Sequence, residues 1–189
     1  MTAAFAFQSL TLGYDCLPAL QPIATEIPVG SLTVVAGPNG AGKSTLLSGG
    51  VGALVPLKSK VDFDALKRDD IAYLWQQSDI DRGFPLSVFD LVAMRLWREI
   101  GAFGSLGRKS RFRVHHAMPS VGLTGREHRP IGALSGGQMR RVLFARLLLQ
   151  DAQLVLLDEP FPAIDAPTMA DLLGLVHAWH AEGRAIMAV

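Results

Sequence analysis

Four short apolar runs constrain this chain more than any other feature. Residues 32–36 (LTVVA), 71–75 (IAYLW), 154–157 (LVLL) and 185–189 (AIMAV) are nearly unbroken by polar side chains and do not alternate. A strand with one wet face must alternate, so runs of this kind belong to strands buried on both faces, as in a parallel sheet covered by helices. Residues 5–14 read differently. Phe5 and Phe7 alternate with polar or small residues, as do Leu10 and Leu12, but the phase slips by one residue at Gln8 and Ser9. That is the signature of a half-buried antiparallel strand carrying a bulge. The expected fold class is α/β: a parallel sheet with an antiparallel β portion at the N-terminus.

Composition narrows the partners. The chain is 49% hydrophobic with a mean hydropathy of +0.28, high enough to raise the question of a membrane span. Its longest uncharged stretch, 27–42, holds Ser31, Thr33, Asn39, two prolines and four glycines, and falls short of the ~18 apolar residues a span needs. Eighteen Lys and Arg against 17 Asp and Glu leave a net charge of +1, too small for a nucleic-acid-binding field. Phosphate binding must therefore be local. The first seven residues lack the positive start of a secretory signal, and Cys16, the single cysteine, excludes an internal disulfide and fits the cytosol.

At 189 residues, with neither repeats nor low-complexity linkers, one domain over 1–189 is expected. Between about 78 and 130 the pattern turns helical (Val88, Leu91, Val92, Leu96) around a basic stretch at 101–113, which predicts a helical subdomain inserted into the α/β core.

Three of the apolar runs end directly in polar or glycine-rich chemistry. Open α/β sheets bind ligands at the carboxyl ends of their strands, so these ends point to one shared site. After the first run comes GPNGAGKS at 37–44, which fits G-x-x-x-x-G-K-[ST]. Gly37, Gly40 and Gly42 let backbone amides turn inward around phosphate oxygens, with Asn39 in the loop and Thr45 next along the helix that follows. Lys43 would reach the β and γ phosphates, and the Ser44 hydroxyl would coordinate Mg²⁺. The third run ends in Asp158-Glu159. Asp158 would hold Mg²⁺, and Glu159 would act on the water that attacks the γ phosphate, as general base or orienting acceptor.

The segment LSGGQ at 134–138 stands one helix upstream of that acidic strand. Ser135 and Gln138 have the spacing of a capping box opening a helix over 139–150, and the two glycines expose the amides of its first turn as a second anion site. With this motif the chain resembles the ATP-binding subunits of ABC transporters over essentially its whole length. The resemblance implies a P-loop NTPase core that binds ATP with Mg²⁺. It implies a homodimer in which Ser135, Gly137 and Gln138 of one copy close over the ATP held by the other copy's glycine loop. It further implies that Tyr14 stacks on adenine, that Gln76 (or Gln77) links Mg²⁺ and the attacking water to a membrane-spanning permease, and that Asp165, equally suited to capping a helix, crosses the dimer interface.

Within the family, FPLSVFDLVAM at 84–94 resembles the zinc and manganese importer group. The function implied is an ATPase on the inner face of the cell membrane that powers metal-ion import, with a metal-binding protein as an indirect partner and no nucleic acid. The alternatives are a soluble ABC ATPase outside transport and a non-catalytic nucleotide-binding module. Two positions depart from the pattern: Trp75 replaces a frequent proline, and Arg140 a common glutamine. A histidine that contacts the γ phosphate in the family would follow the strand at 185–189, where this sequence ends, so the expected domain lacks the part after its last strand and its ATPase activity could be impaired. His177 and His180, spaced i, i+3, and the pair His115 and His116 read as solvated helix faces rather than metal ligands. Arg108, Lys109, Arg111 and Arg113 are placed to approach lipid headgroups or a membrane subunit, but read rather as an ordinary solvated basic loop.

Overall fold

The computed structural model of the protein describes residues 3–15, 17–20, 22–62, 66–76, 80–101 and 104–189; Cys16 and Gln77 lie outside the described residues. The chain divides into two compact units. The first comprises Met1–Gln76, Ala152–Pro160 and Trp179–Val189, the second Gln77–Asp151 and Phe161–Ala178.

In chain order the first unit begins with β1 (Ala3–Thr11), a small hairpin of β2 (Gly13–Tyr14) and β3 (Leu17–Pro18), and β4 (Ile23–Pro28). Then come β5 (Leu32–Val34), α1 (Lys43–Gly50), β6 (Lys58–Asp62) and β7 (Ile71–Leu74). The second unit contains α2 (Val88–Ala93), α3 (Trp97–Ile100), α4 (Arg108–Ser120) and α5 (Gly136–Gln150). The chain returns to the first unit for β8 (Leu154–Leu157), runs through α6 (Ala166–Ala181), and reaches β9 (Ala185–Ala188).

The four non-alternating runs form one parallel sheet in the order β5-β9-β8-β7. All four residues of β8 are buried, as continuous apolarity requires of a strand covered on both faces, whereas β5, at the edge of the sheet, exposes Leu32 and Val34, so the burial expected of its run does not hold. The expected antiparallel portion is the sheet β4-β1-β6. Its anticipated bulge is present: the register of β1 against β4 shifts between Phe7 and Leu10, and Ser9 adopts φ +50°. The extra residue returns Phe7, Leu10 and Leu12 to the same buried cluster.

Helix α1 joins the two sheets through that cluster. Leu46 and Leu47 share one buried cluster with Phe7, Leu10 and Leu12 of the N-terminal segment and Leu154, Leu156, Ala185 and Met187 of the parallel sheet. The approach is close enough that a Cβ at Gly49 would collide with Leu12.

In the second unit α2, α4 and α5 pack against one another. Ser87 caps α2 in a reciprocal box with Asp90, and the helices bury Val88, Leu91, Val92, Val114, Met118, Val142 and Phe144. Arg95 Nε donates to Gln150 Oε1 at 3.0 Å, joining the segment after α2 to the end of α5. Phe144 and Phe161 stack with centroids 6.2 Å apart. Among the described residues no helix is long and apolar enough to cross a membrane.

Leu156 sits fully buried in β8, between β7 and β9 and within the cluster that includes α1. Leu156→Ala should lower unfolding stability by about 2–5 kcal/mol, the transfer term plus a cavity that a paired strand cannot close. Equilibrium denaturation in urea, with the slope unchanged, is the check.

Candidate functional site

The chain leaves β5 through 35–42 and enters α1 at Lys43. Gly40 and Gly42 have φ of +81° and +85°, and a Cβ at Gly42 would collide with Leu20 in the bend after β3. At Gly40 nothing lies within 4 Å, so that glycine is required by backbone conformation alone. The loop therefore curls at the N-terminus of α1 with Gly42 as its cap. Lys43 Nζ lies across the loop and donates to the carbonyls of Gly37 and Pro38 at 2.9 and 3.0 Å. The ammonium is thus held among the atoms that would surround a phosphate chain. Asn39 is exposed, while Thr45 is buried in the first turn of α1.

Asp158 follows β8 and is only 2% exposed. A carboxylate this deep requires donors, and two side chains supply them: Ser44 Oγ donates to Oδ1 at 2.9 Å and Tyr73 Oη to Oδ2 at 3.1 Å. The Asp158 amide donates to the carbonyl of Leu74 at 2.9 Å, extending the β7–β8 ladder to the site. Three strand ends thus deliver the glycine loop, Tyr73 and Asp158 to one place, as the Ser44–Asp158 and Tyr73–Asp158 bonds demonstrate. Burial is the main cause raising the Tyr73 phenol far above its ordinary pKa; the Asp158 charge adds to it and the Ser48 hydroxyl opposes it. Tyr73 is therefore a fixed, neutral donor. Sequence reading saw it only as part of a strand; the available signal was a phenol in an otherwise apolar run two residues from its end.

Glu159 has φ +40°, a left-handed backbone that a non-glycine residue adopts at a cost of about 1–3 kcal/mol and that turns the chain sharply after Asp158. Gln76 is exposed, two residues beyond β7. Trp75 before it is half-exposed with its ring 4.3 Å from that of Tyr73. Tyr14, at the tip of the β2–β3 hairpin, is 55% exposed and opposite Leu17 in the register.

The second unit holds the other group of residues. Ser135 caps α5 by the expected box: its hydroxyl accepts from the Gln138 amide at 3.2 Å, and Gln138 Oε1 accepts from the Ser135 amide at 3.2 Å. A Cβ at Gly136 would meet nothing within 4 Å, and one at Gly137 only ordinary contacts with Asp165 and Thr168. Internal packing therefore does not demand these glycines, and what they leave is open space over the first amides of a 15-residue helix. Asp165 Oδ2 accepts from the Thr168 amide at 3.0 Å at the start of α6, and bonds from the Thr168 amide and hydroxyl, with the Arg141 charge, hold the Asp165 carboxyl below its usual pKa.

Arg141, which sequence reading did not single out, organises this region. It donates to the Val121 carbonyl at 3.0 Å, Thr168 Oγ1 at 3.1 Å and Asp171 Oδ2 at 2.7 Å, binding α5 to α6 and to the turn after α4. Ser135, Gly137, Gln138 and Asp165 line one pocket of about 370 Å³ together with Arg126 and Arg141. Its polar lining and exposed amides suit an anion. His177 and His180 are exposed on α6, and among the described residues no group of three or more His, Cys, Asp or Glu could hold a metal ion.

Comparison with known proteins gives concordant matches. A family profile described as ABC transporter matches residues 20–162. The manganese transport system ATP-binding protein MntB of Listeria innocua is 38% identical over 186 residues, covering 96% of this chain and 78% of that protein. The zinc transport system ATP-binding protein TroB of Treponema pallidum is 37% identical over 192 residues, covering 98% and 72%. Among solved structures, one described as a metal-chelate type ABC transporter in an inward-facing conformation superposes with a TM-score of 0.83 at 27% identity, covering 100% of this chain and 73% of that one.

The raised pKa of Tyr73 has a consequence for stability. Below about pH 10 both folded and unfolded chains keep the phenolic proton; above it the unfolded chain releases the proton while the folded one retains it. Stability should therefore fall as pH rises beyond about 10, with this one group contributing a slope of up to about 1.4 kcal/mol per pH unit. Urea denaturation of wild type and Tyr73→Phe between pH 8 and 11 measures it: the difference between the two chains should shrink as pH rises, and a constant difference would contradict the assignment.

Proposed function

The chain belongs to the ABC transporter family, and from that premise we propose that it is the ATP-binding and ATP-hydrolysing subunit powering import of a divalent metal ion, zinc or manganese. The observation that carries the reading is the 2.9 Å bond from Ser44 to Asp158, which joins the phosphate loop to the acidic strand end across 114 residues of sequence. The substrate class follows the named relatives, one a manganese and one a zinc transport subunit.

In this reading the amides of 37–44 and the N-terminus of α1 receive the β and γ phosphates, and Lys43 exchanges its two loop carbonyls for phosphate oxygens. Tyr14 offers an exposed ring to the base. The donor set of Ser44 and Asp158, a hydroxyl and a carboxylate oxygen already in contact, fits a hard cation such as Mg²⁺, with Gln76 as a third oxygen ligand. When bound, that ion would neutralise charge developing on the phosphates. Tyr73 keeps one Asp158 oxygen engaged and so orients the carboxylate. Glu159 accepts the proton of the attacking water or orients it, and Gln76 reports the state of the site to a membrane-spanning permease.

Ser135, Gly137 and Gln138, in a pocket with Asp165, close over the γ phosphate of ATP held by a second copy, the Gly137 amide donating to it while the Ser135 and Gln138 amides stay in the capping box, which makes the working unit a head-to-tail homodimer. Residues 1–189 form an ATP-binding domain, with about 78–130 as its helical subdomain. It works at the inner face of the cell membrane, and a metal-binding protein delivers the ion to the permease.

Two variants test the catalytic core. Lys43→Ala should weaken Mg·ATP binding by about 10- to 150-fold, the loss of a charged hydrogen-bonding group. Glu159→Gln should bind ATP normally, hydrolyse it about 100- to 10,000-fold more slowly, and accumulate as an ATP-dependent dimer. Calorimetry, phosphate release and sedimentation on the same samples read all three. Equal affinity for Lys43→Ala, or unchanged turnover for Glu159→Gln, would remove the assigned roles. Metal uptake by vesicles containing the co-purifying permease should stop with Glu159→Gln.

A further inference from the structure

The charge of this chain is nearly balanced, but its distribution is not. Residues 100–126 hold five of its 18 Lys and Arg and none of its 17 Asp and Glu. Helix α4 carries four of the five. It buries Val114, Ala117 and Met118 and packs on α2 and α5. Arg113, on the edge of this inner side, is committed to Glu99 at 2.6 Å and to the Leu149 carbonyl at 2.8 Å.

The opposite side is exposed throughout. At 100° per residue, Arg111, His115, Arg108, Phe112, His116 and Lys109 fall in that order across one contiguous arc of about 160°. Among the described residues, Arg108, Lys109 and Arg111 form no ion pair. Near the middle of the arc stands Phe112, 67% exposed, its ring 5.9 Å from that of His116. A cationic surface without ion pairs among the described residues, Arg111 Nε donating only to the Leu106 carbonyl at 3.3 Å, with an exposed aromatic ring at its centre, is the composition of a helix that lies on a membrane, where the charges meet phosphate headgroups and the ring enters the acyl boundary.

We infer that the outward face of α4 binds the anionic lipid headgroups of the membrane beside which the chain works. The charge pattern selects lipid over the permease: cytoplasmic loops of membrane proteins are enriched in Lys and Arg and would repel this face, whereas the cytoplasmic leaflet is negative. The choice of leaflet rests on the transport reading above; lipid binding itself needs no nucleotide, so the two fail separately.

The test is flotation of the full chain with phosphatidylcholine vesicles, with or without phosphatidylglycerol. The wild type should float only with the anionic vesicles and dissociate as salt is raised. The triple variant Arg108→Gln, Lys109→Gln, Arg111→Gln should lose about 100-fold in partitioning. Phe112→Ser should weaken binding while keeping its salt dependence. A control with the same loss of charge elsewhere (Lys58→Gln, Lys67→Gln, Arg129→Gln) should bind like wild type, and unaltered ATP affinity and thermal melting would confirm folding of every variant. Failure of the wild type to float, equal flotation with neutral vesicles, or equal losses in the two triple variants would each overturn the inference, the last indicating only a response to net charge.

Discussion

A carboxylate that is almost wholly removed from water has to be surrounded by donors, and in this chain Asp158 carries that requirement for the first unit. Its two oxygens are met by Ser44 from α1 and Tyr73 from β7, and its amide extends the ladder to Leu74. Neither donor is a sequence neighbour. Both arrive because β7 and β8 run parallel in register, Ile71 against Leu154 through Leu74 against Leu157, and because β5 is placed in the same sheet by β9. Parallel strands end together, so the chain's polar turns collect on one edge of an otherwise apolar sheet. Packing of Leu46 and Leu47 against that sheet then sets the height of α1, and with it the reach of Ser44.

The second unit meets a different requirement, the orphan amides at the start of a long helix. Ser135 and Gln138 satisfy part of that need between themselves, and Gly136 and Gly137 leave the remaining first-turn amides open to an incoming anion. Arg141 then fixes this turn to α6 through Thr168 and Asp171, while Asp165 closes the first turn of α6. The unit thereby presents a polar pocket made from the starts of α5 and α6 and the turn after α4. Each unit thus has glycines at the start of a helix, before α1 in one and in the first turn of α5 in the other, with different supports: a buried carboxylate in the first and an arginine bridge in the second.

Much of this organisation was legible in the residues alone. Unbroken apolarity announced the parallel strands, a slip of phase at Gln8 and Ser9 announced the bulge, and the Ser135–Gln138 spacing announced the capping box. Each depends on residues a few positions apart, where backbone geometry leaves little choice. The helix of the second motif begins earlier than its apolar pattern, at Gly136 rather than Met139, because a capping box starts the helix immediately after its serine whatever the hydrophobicity of the first turn.

The rest belongs to the tertiary structure. Tyr73 could be read as a strand residue but not as the second donor to Asp158, since the contact spans 85 residues and exists only in one strand register. Arg141 acquires its role only because α6 brings Thr168 and Asp171 to it, and Arg108, Lys109 and Arg111, read from sequence as a solvated loop, are wound by α4 onto one face around Phe112. The sequence by itself determined the elements, the phosphate loop and the cap, because periodicity and turn chemistry act locally. Which side chains face one another was decided by sheet order and helix packing, because a one-residue change of register or rotation would send the same residues elsewhere.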